Sequence, residues 1–209
     1  SEWWLNRKNL YTENQSLRAE IIKLTLTEAQ LKLVEAENEH LRQELNFLKK
    51  QRQFVMAEVV GKNSDDLVDA LIIDRGTRDG LAPGDPVIVD EGVLIGKIFK
   101  VTESTSLVRL LTDNQSRVAA TVLSKDKTLG VVSGRHGTNL LLEMIPQNET
   151  VTGGEIVITS GLDNRMPRGL LIGKVDLVTK DPYEPFQRAY LVPLVRPDKI
   201  NVVAVILPN

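Results

Sequence analysis

The sequence predicts a mainly β protein with an N-terminal coiled-coil helix, and three observations support this fold class. Leucines recur every seven residues in the first quarter of the 209-residue chain, which is typical of a helix that winds around another helix. All 14 glycines and all 9 prolines follow residue 60. Short β-branched runs separated by turn residues fill that remainder, as they do in barrels and sandwiches.

The leucine repeat predicts a dimerising coiled coil over residues 1–53. Asn14 stands at an a position, where asparagine favours a two-stranded, in-register pair. After Leu31 the frame shifts, as a three-residue stammer would shift it. A long helix packed on its own β domain is the alternative. The predicted dimer interface consists of Leu10, Asn14, Leu17, Ile21, Leu24, Leu31, Val34, Asn38, Leu41, Leu45 and Leu48.

The first residues carry a membrane-proximal signal. Trp3 and Trp4 precede Arg7 and Lys8, as in the aromatic belt at the end of a membrane span. A tag remnant or an apolar cap on the coil end explains the tryptophans equally well. No run of about eighteen apolar residues occurs in the sequence, so it predicts no membrane span of its own.

Composition excludes several classes of function. A net charge of −2 argues against a nucleic-acid-binding protein, which needs a basic excess. The absence of cysteine excludes disulfides, cysteine-ligated zinc and a cysteine nucleophile. No phosphate-binding glycine loop occurs, and we predict neither a cofactor nor a metal.

An internal repeat predicts two similar small barrels. Residues 84–101 and 154–178 share G-acid-x-V-I, a following glycine and L-I-G-K-[I/V]-x-x-V, which indicates one duplicated strand–turn–strand unit. We expect a discontinuous first barrel, 54–110 with 190–209, closed by strands near residues 201–207, and a second barrel, 111–189. Glycines inside strands mark bulges or corners. The predicted structural residues are Gly76, Gly80, Gly84, Gly96, Thr159, Ser160, Gly161, Pro167, Gly169 and Gly173.

Two places attract a functional hypothesis. Ser160, His136 and Asp163 can be written as a hydrolase triad, but their spacing does not require contact, and we predict no catalytic residue. The segment 181–190 concentrates Tyr183, Phe186 and Tyr190, three of the seven phenylalanines and tyrosines. Its flanking prolines predict a loop tip or an edge segment, so these rings are either core plugs or partner-binding anchors.

The order of motifs resembles one family over nearly the whole chain. ENxxLR in the coil is followed by IIDRGTRDGLAPGDPVI, GVLIGKI, LLTDNQSRVAATV, ITSGL and MPRGLLIGKV. This series is similar to MreC, the rod-shape-determining family of bacteria. The resemblance implies a helix and two six-stranded barrels, distantly like those of chymotrypsin-type proteases but without a catalytic site.

The resemblance also implies a function. Members are non-enzymatic scaffolds on the periplasmic or extracytoplasmic face of the cytoplasmic membrane, held by one N-terminal span that this sequence would lack. They form homodimers and further assemblies, and they bind the elongation class B penicillin-binding protein, MreD and other rod-complex proteins. Two alternatives stay open: a periplasmic adaptor of an export system, and the coil-plus-barrel regulatory domain of a ring ATPase.

Overall fold

A computed structural model describes residues 2–44, 53–63, 68–90, 92–123, 129–135 and 139–208 of the chain. The chain divides into two compact units, Ser1–Lys50 and Gln51–Asn209. Among the described residues, the first unit contains one helix and the second contains the strands.

Helix α1 (Glu2–Glu44) is uninterrupted over 43 residues, because no glycine or proline breaks it. Glu28 and Lys32, four residues apart, form a salt bridge of 2.7 Å between Oε1 and Nζ, a spacing that supports a helix. The hydroxyls of Thr25 and Thr27 donate to carbonyls one turn earlier. In the described part of the chain, no helix is long and apolar enough to cross a bilayer.

The predicted dimer interface lies along this helix. Side chains are described for residues 13–36, and all of them are exposed. The interface members among them are Asn14, Leu17, Ile21, Leu24, Leu31 and Val34. Leu10, Asn38 and Leu41 belong to α1, but their side chains lie outside the described residues, as do Leu45 and Leu48 altogether.

Twelve strands lie in the described residues of the second unit. They are β1 (Phe54–Asn63), β2 (Ala70–Ile73), β3 (Pro86–Val89), β4 (Val93–Val101), β5 (Ser106–Leu110), β6 (Arg117–Val122), β7 (Leu129–Arg135), β8 (Asn139–Pro146), β9 (Ile156–Thr159), β10 (Leu171–Thr179), β11 (Phe186–Pro193) and β12 (Val202–Ile206). Several of them, such as β3, β9 and β12, are rich in β-branched residues. Two short 3₁₀ helices, Thr77–Asp79 and Pro197–Lys199, lie between strands.

The strands close into two six-stranded barrels. In the first barrel the order is β4-β3-β12-β1-β2-β5, and β5 pairs back onto β4. In the second the order is β11-β8-β7-β6-β9-β10, and β10 pairs back onto β11. A short parallel contact between Leu171 of β10 and Val93 of β4 joins the barrels. The mainly β, two-barrel fold class is therefore confirmed.

The predicted boundary at residue 190 is wrong by a few residues. β11 runs through Pro193 and pairs with β8 at Tyr190 and Leu191 and with β10 as far as Pro193. Residues 190–193 therefore belong to the second barrel. The sequence misled here because the aromatic segment ends at Tyr190, whereas the strand continues through Leu191 and Val192.

The repeated L-I-G-K motif forms the same bulge in each barrel. In β4, Leu94 and Gly96 pair with neighbouring residues of β3, which leaves Ile95 as the extra residue. In β10, Ile172 is the extra residue in the same position. A Cβ on Gly96 would lie 2.1 Å from the carbonyl oxygen of Arg109, so only glycine allows the neighbouring strand to come so close.

Two apolar clusters fill the unit, and one extends across the barrels. All four residues of β3 are buried. Val87 and Val89 belong to the cluster inside the first barrel, whereas Ile88 belongs with the core of the second. Leu94 and Ile206 also join that second cluster. A strand covered on both faces reads as a continuous apolar run, which explains the sequence PVIV.

Candidate partner-binding surface

β11 presents a row of large side chains on the outer face of the second barrel. Phe186, Tyr190 and Val192 are exposed, while Gln187 and Ala189 between them are fully buried. This alternation follows the two-residue period of a strand. The prediction of a loop tip or edge segment is wrong for Tyr190, which is paired on both sides, with Leu141 of β8 and Leu177 of β10. Phe186 begins the strand and pairs with β8 alone.

Tyr183 lies in the turn before β11 with 96% of its surface exposed. Hydrogen bonds hold this turn, since the Gln147 side-chain amide donates to the carbonyl oxygens of Asp181 (2.8 Å) and Glu184 (3.0 Å). The Asp181 carboxylate accepts the backbone N–H of Tyr183 at 2.9 Å. Tyr183 is thus held outward on a hydrogen-bonded turn and is not a core plug.

Neighbouring strands add aliphatic side chains to this row. Leu177 of β10 is directly opposite Tyr190 and is also exposed, so the two side chains share one face. Met144 is exposed at a bulge of β8 that faces Arg188. We call this surface the aromatic patch and define it as Met144, Leu177, Tyr183, Phe186, Tyr190 and Val192.

Met144 has an unusual backbone conformation, with φ of 63°. A positive φ is rare for a side chain other than glycine, asparagine or aspartate, and such residues cluster at functional sites. Here the conformation belongs to the bulge, where two residues of β8 oppose Arg188 alone. Its effect is to turn a flexible apolar side chain toward solvent beside the aromatic row.

Charged side chains lie within and beside the aromatic patch. Arg188 projects from the middle of β11, and its Nη2 lies 2.9 Å from Glu184 Oε2. Lys174, exposed on β10, is the strand partner of Val192. Protein-binding surfaces are enriched in aromatic residues and arginine, so the presence of Arg188 among these side chains fits such a surface.

The T-S-G motif serves the loop between β9 and β10. Thr159 is fully buried, and its hydroxyl donates to the carbonyl oxygen of Pro167 (2.6 Å) and accepts the N–H of Leu170 (2.9 Å). Gly161 and Gly169 take positive φ values of 78° and 96° at the two ends of the loop. Within this motif, the Thr159 side chain therefore makes the hydrogen bonds that hold the loop.

Two members of the hypothetical hydrolase triad, Ser160 and Asp163, lie in the described residues. Ser160 and Asp163 line the same cleft, of about 440 Å³, between the loop and the end of β12. The Ser160 hydroxyl oxygen lies 3.4 Å from the backbone N–H of Leu162, from which it accepts. His136 lies outside the described residues. No cluster of three metal-ligating side chains occurs where the structure is described.

The same loop ties the two barrels together through Arg165. Its Nη1 lies 2.7 Å from Oδ1 of Asp85, whose side chain is fully buried at the start of β3. The other oxygen of Asp85 accepts the N–H of Ala82 at 2.8 Å. These partners are 80 residues apart, so no local pattern could have predicted the pair. Sequence reasoning also missed Met144, Leu177 and Val192, which carry no motif.

Two closed six-stranded barrels joined at β4 and β10 define a double-barrel class of β proteins. The family model described as "Rod shape-determining protein MreC, barrel core" matches residues 59–207. This chain therefore belongs to the MreC family, as its motifs predict.

Named relatives support this assignment. The cell shape-determining protein MreC of Listeria monocytogenes is 32% identical over 192 residues, which cover 89% of this chain and 65% of the relative. A solved MreC structure from Listeria superposes with a TM-score of 0.77 at 29% identity, over 93% of this chain and 95% of that one. Helicobacter pylori MreC, solved in complex with the penicillin-binding protein PBP2, shares the fold with a TM-score of 0.61 at 16% identity, over 76% and 100%.

We predict that Arg165→Gln lowers the free energy of unfolding by about 1–2 kcal/mol, because it removes the charged partner of a buried carboxylate. Urea unfolding of the whole chain measures the effect. The exposed Arg196 offers a control, and Arg196→Gln should change stability by less than about 0.5 kcal/mol. Equal losses in the two variants would contradict a structural role for the Arg165–Asp85 pair.

Proposed function

We propose that this chain is part of a non-enzymatic, membrane-tethered dimeric scaffold of the bacterial cell-elongation complex. It binds and regulates peptidoglycan-synthesising enzymes on the extracytoplasmic face of the cytoplasmic membrane and thereby maintains rod shape. The observation that carries this proposal is the aromatic patch, a set of large apolar side chains exposed on a closed barrel. Exposed apolar patches mark protein-binding sites.

The proposed partner of the aromatic patch is the elongation class B penicillin-binding protein. Aromatic side chains make good anchors, because they bring large contact areas at a small cost in conformational entropy. The rings of Phe186 and Tyr190 lie on a doubly paired strand, so binding does not have to order the backbone first. The complex of H. pylori MreC with PBP2 supports this choice of partner class. MreD and other rod-complex proteins are further proposed partners.

The proposed dimer forms through α1. Leu17, Ile21 and Leu24 each expose more than half of their surface, and burying an aliphatic side chain contributes about 1.5–3 kcal/mol. If two copies of α1 pair along the face that carries these residues, all three side chains become buried. Trp3 and Trp4, followed by Arg7 and Lys8, agree with an N-terminal membrane anchor. A relative of known structure is described as a periplasmic domain, which supports the extracytoplasmic location.

Regulation by such a scaffold is a matter of binding energy. A bound protein shifts its partner's conformational equilibrium only by its differential affinity for the two conformations. No bond is made or broken on the scaffold. Its contribution is to hold the partner enzymes in pairs and to favour one of their conformations.

We predict that Leu17→Asp with Leu24→Asp converts the dimer into a monomer, because four carboxylates would meet in an apolar seam. Light scattering measures the mass, and circular dichroism checks that the β signal is retained. Lys23→Asp with Gln30→Asp, which adds two aspartates at the same spacing on exposed positions, is the control. An unchanged mass in the Leu17–Leu24 variant would refute the predicted seam.

We predict that Phe186→Ala with Tyr190→Ala weakens capture of the penicillin-binding protein about 10- to 100-fold, as loss of two interface anchors does. Surface-immobilised partner and the whole chain give the dissociation constant. Each residue exposes 42% of its surface, so the variant should stay folded, and its fall in melting temperature should be small beside the loss of binding. Phe54→Ala with Val202→Ala, which truncates apolar residues exposed on the first barrel, is the control. Equal weakening by both pairs, or none by either, would place the site elsewhere.

A further inference from the structure

The three methionines of the chain differ sharply in their exposure. Because the sequence contains no cysteine, the methionine sulfurs are its only sites for reversible sulfur oxidation. Met56 and Met144 expose 58% and 55% of their surface, whereas Met166 exposes 3%. Small oxidants reach exposed side chains far more readily than buried ones, so the structure indicates two oxidisable methionines and one protected methionine.

Of the two exposed methionines, Met144 alone belongs to the aromatic patch. It lies in the β8 bulge opposite Arg188, beside the row that Phe186 and Tyr190 form on β11. Met56 lies on β1 of the first barrel. Met56 therefore provides an internal reference, with similar exposure on a different barrel.

Regular strand pairs on both sides fix the position of Met144. Leu142 pairs with Ala189 before the bulge, and Ile145 pairs with Gln187 after it. All four of these side chains are buried. The φ of 63° at Met144 is a conformation that glycine, asparagine and aspartate adopt more readily. The bulge thus keeps the Met144 side chain out of the core, and a chemical change to it leaves the packing of the barrel intact.

Peroxide converts an exposed methionine into its sulfoxide by oxygen transfer. The sulfur lone pair attacks one peroxide oxygen, and an S–O bond forms as the O–O bond breaks. The proton on the transferred oxygen passes to the departing oxygen, which leaves as water, so sulfur loses two electrons and peroxide gains two. Methionine sulfoxide reductases reverse the change, with two thiols oxidised to a disulfide and the oxygen released as water.

A sulfoxide at Met144 is compatible with the fold but not with an apolar contact. In the free chain its oxygen faces water, whereas a partner bound to the aromatic patch would cover it. Burial of a polar group without a hydrogen-bond partner is unfavourable, and oxidation replaces a flexible apolar side chain with a polar, chiral one. Oxidation should therefore weaken binding at the patch without unfolding the barrel.

We propose that Met144 is an oxidation site that switches partner binding at the aromatic patch. Peroxide converts Met144 to the sulfoxide, and the scaffold releases the penicillin-binding protein until a reductase restores the thioether. The switch rests on the proposed function, because it assigns a regulation to the same surface. The proposed location outside the cytoplasmic membrane exposes the patch to oxidants that arrive from the surroundings.

Peptide mass spectrometry of the whole chain after hydrogen peroxide treatment tests the site. We expect one added oxygen at Met144 and at Met56 at similar rates, and much slower oxidation at Met166. No oxidation at Met144, or oxidation of Met166 as fast as that of Met144, would overturn the assignment. Circular dichroism should show that the oxidised chain retains its β signal, and loss of that signal would contradict a local effect.

Binding of untreated penicillin-binding protein, added after the peroxide has been removed, tests the switch. The oxidised chain should bind about 10- to 100-fold more weakly than the untreated chain. Met144→Leu should keep its affinity through the same treatment, while Met56→Leu, the matched control, should lose it. Affinity that survives oxidation of the wild type, or that falls equally in Met144→Leu, overturns the switch alone. An untreated chain that does not bind contradicts the proposed function, and the switch with it.

Two measurements on the unaltered sequence do not depend on the folding of any variant. Methionine sulfoxide reductases A and B together should restore the affinity of the oxidised chain, because each enzyme reduces one sulfoxide epimer. In the preformed complex, Met144 should be protected from peroxide while Met56 stays reactive. Affinity that both reductases fail to restore, or equal oxidation of the two methionines in the complex, would overturn the proposal.

Discussion

The first barrel closes only when β12, near the end of the chain, inserts between β1 and β3. Met56 pairs with Ala204, and Val205 pairs with Val87 on the other side. Without β12 both neighbouring strands would have open edges, which are costly and prone to aggregation. The second barrel is built entirely from the chain between β5 and β12. Closure of the first barrel therefore requires that the chain return from the second.

This closure also positions the functional surface. Ile206 of β12 packs into the cluster that fills the second barrel, and Arg165 in the loop before β10 pairs with the buried Asp85. β10 and β11, which carry most of the aromatic patch, are thus supported by strands of both barrels. A preformed surface of this kind binds without first ordering its own backbone, which suits a scaffold that acts by binding alone.

Much of the fold could be predicted because its signals are local. β-Branched runs predict β2, β3, β6, β9 and β12, and the L-I-G-K repeat reveals the duplicated hairpin. Features that depend on residues far apart in the sequence could not be predicted. The pairing of Asp85 with Arg165 and the bulge that exposes Met144 are two such features. The concentration of aromatic residues identified the segment 181–190. Its strand pairing was not predicted, because prolines at 182 and 185 are typical of loops. Leu177 joins the patch only through strand register.

Native-state hydrogen exchange of the whole chain tests closure by β12 most directly. If β12 locks the first barrel, amides of β1, β3 and β12 open together with one common free energy. Val205→Ala, which removes atoms from a fully buried side chain, should then lower their protection equally. Fast exchange of β12 amides while β1 and β3 stay protected would contradict the account.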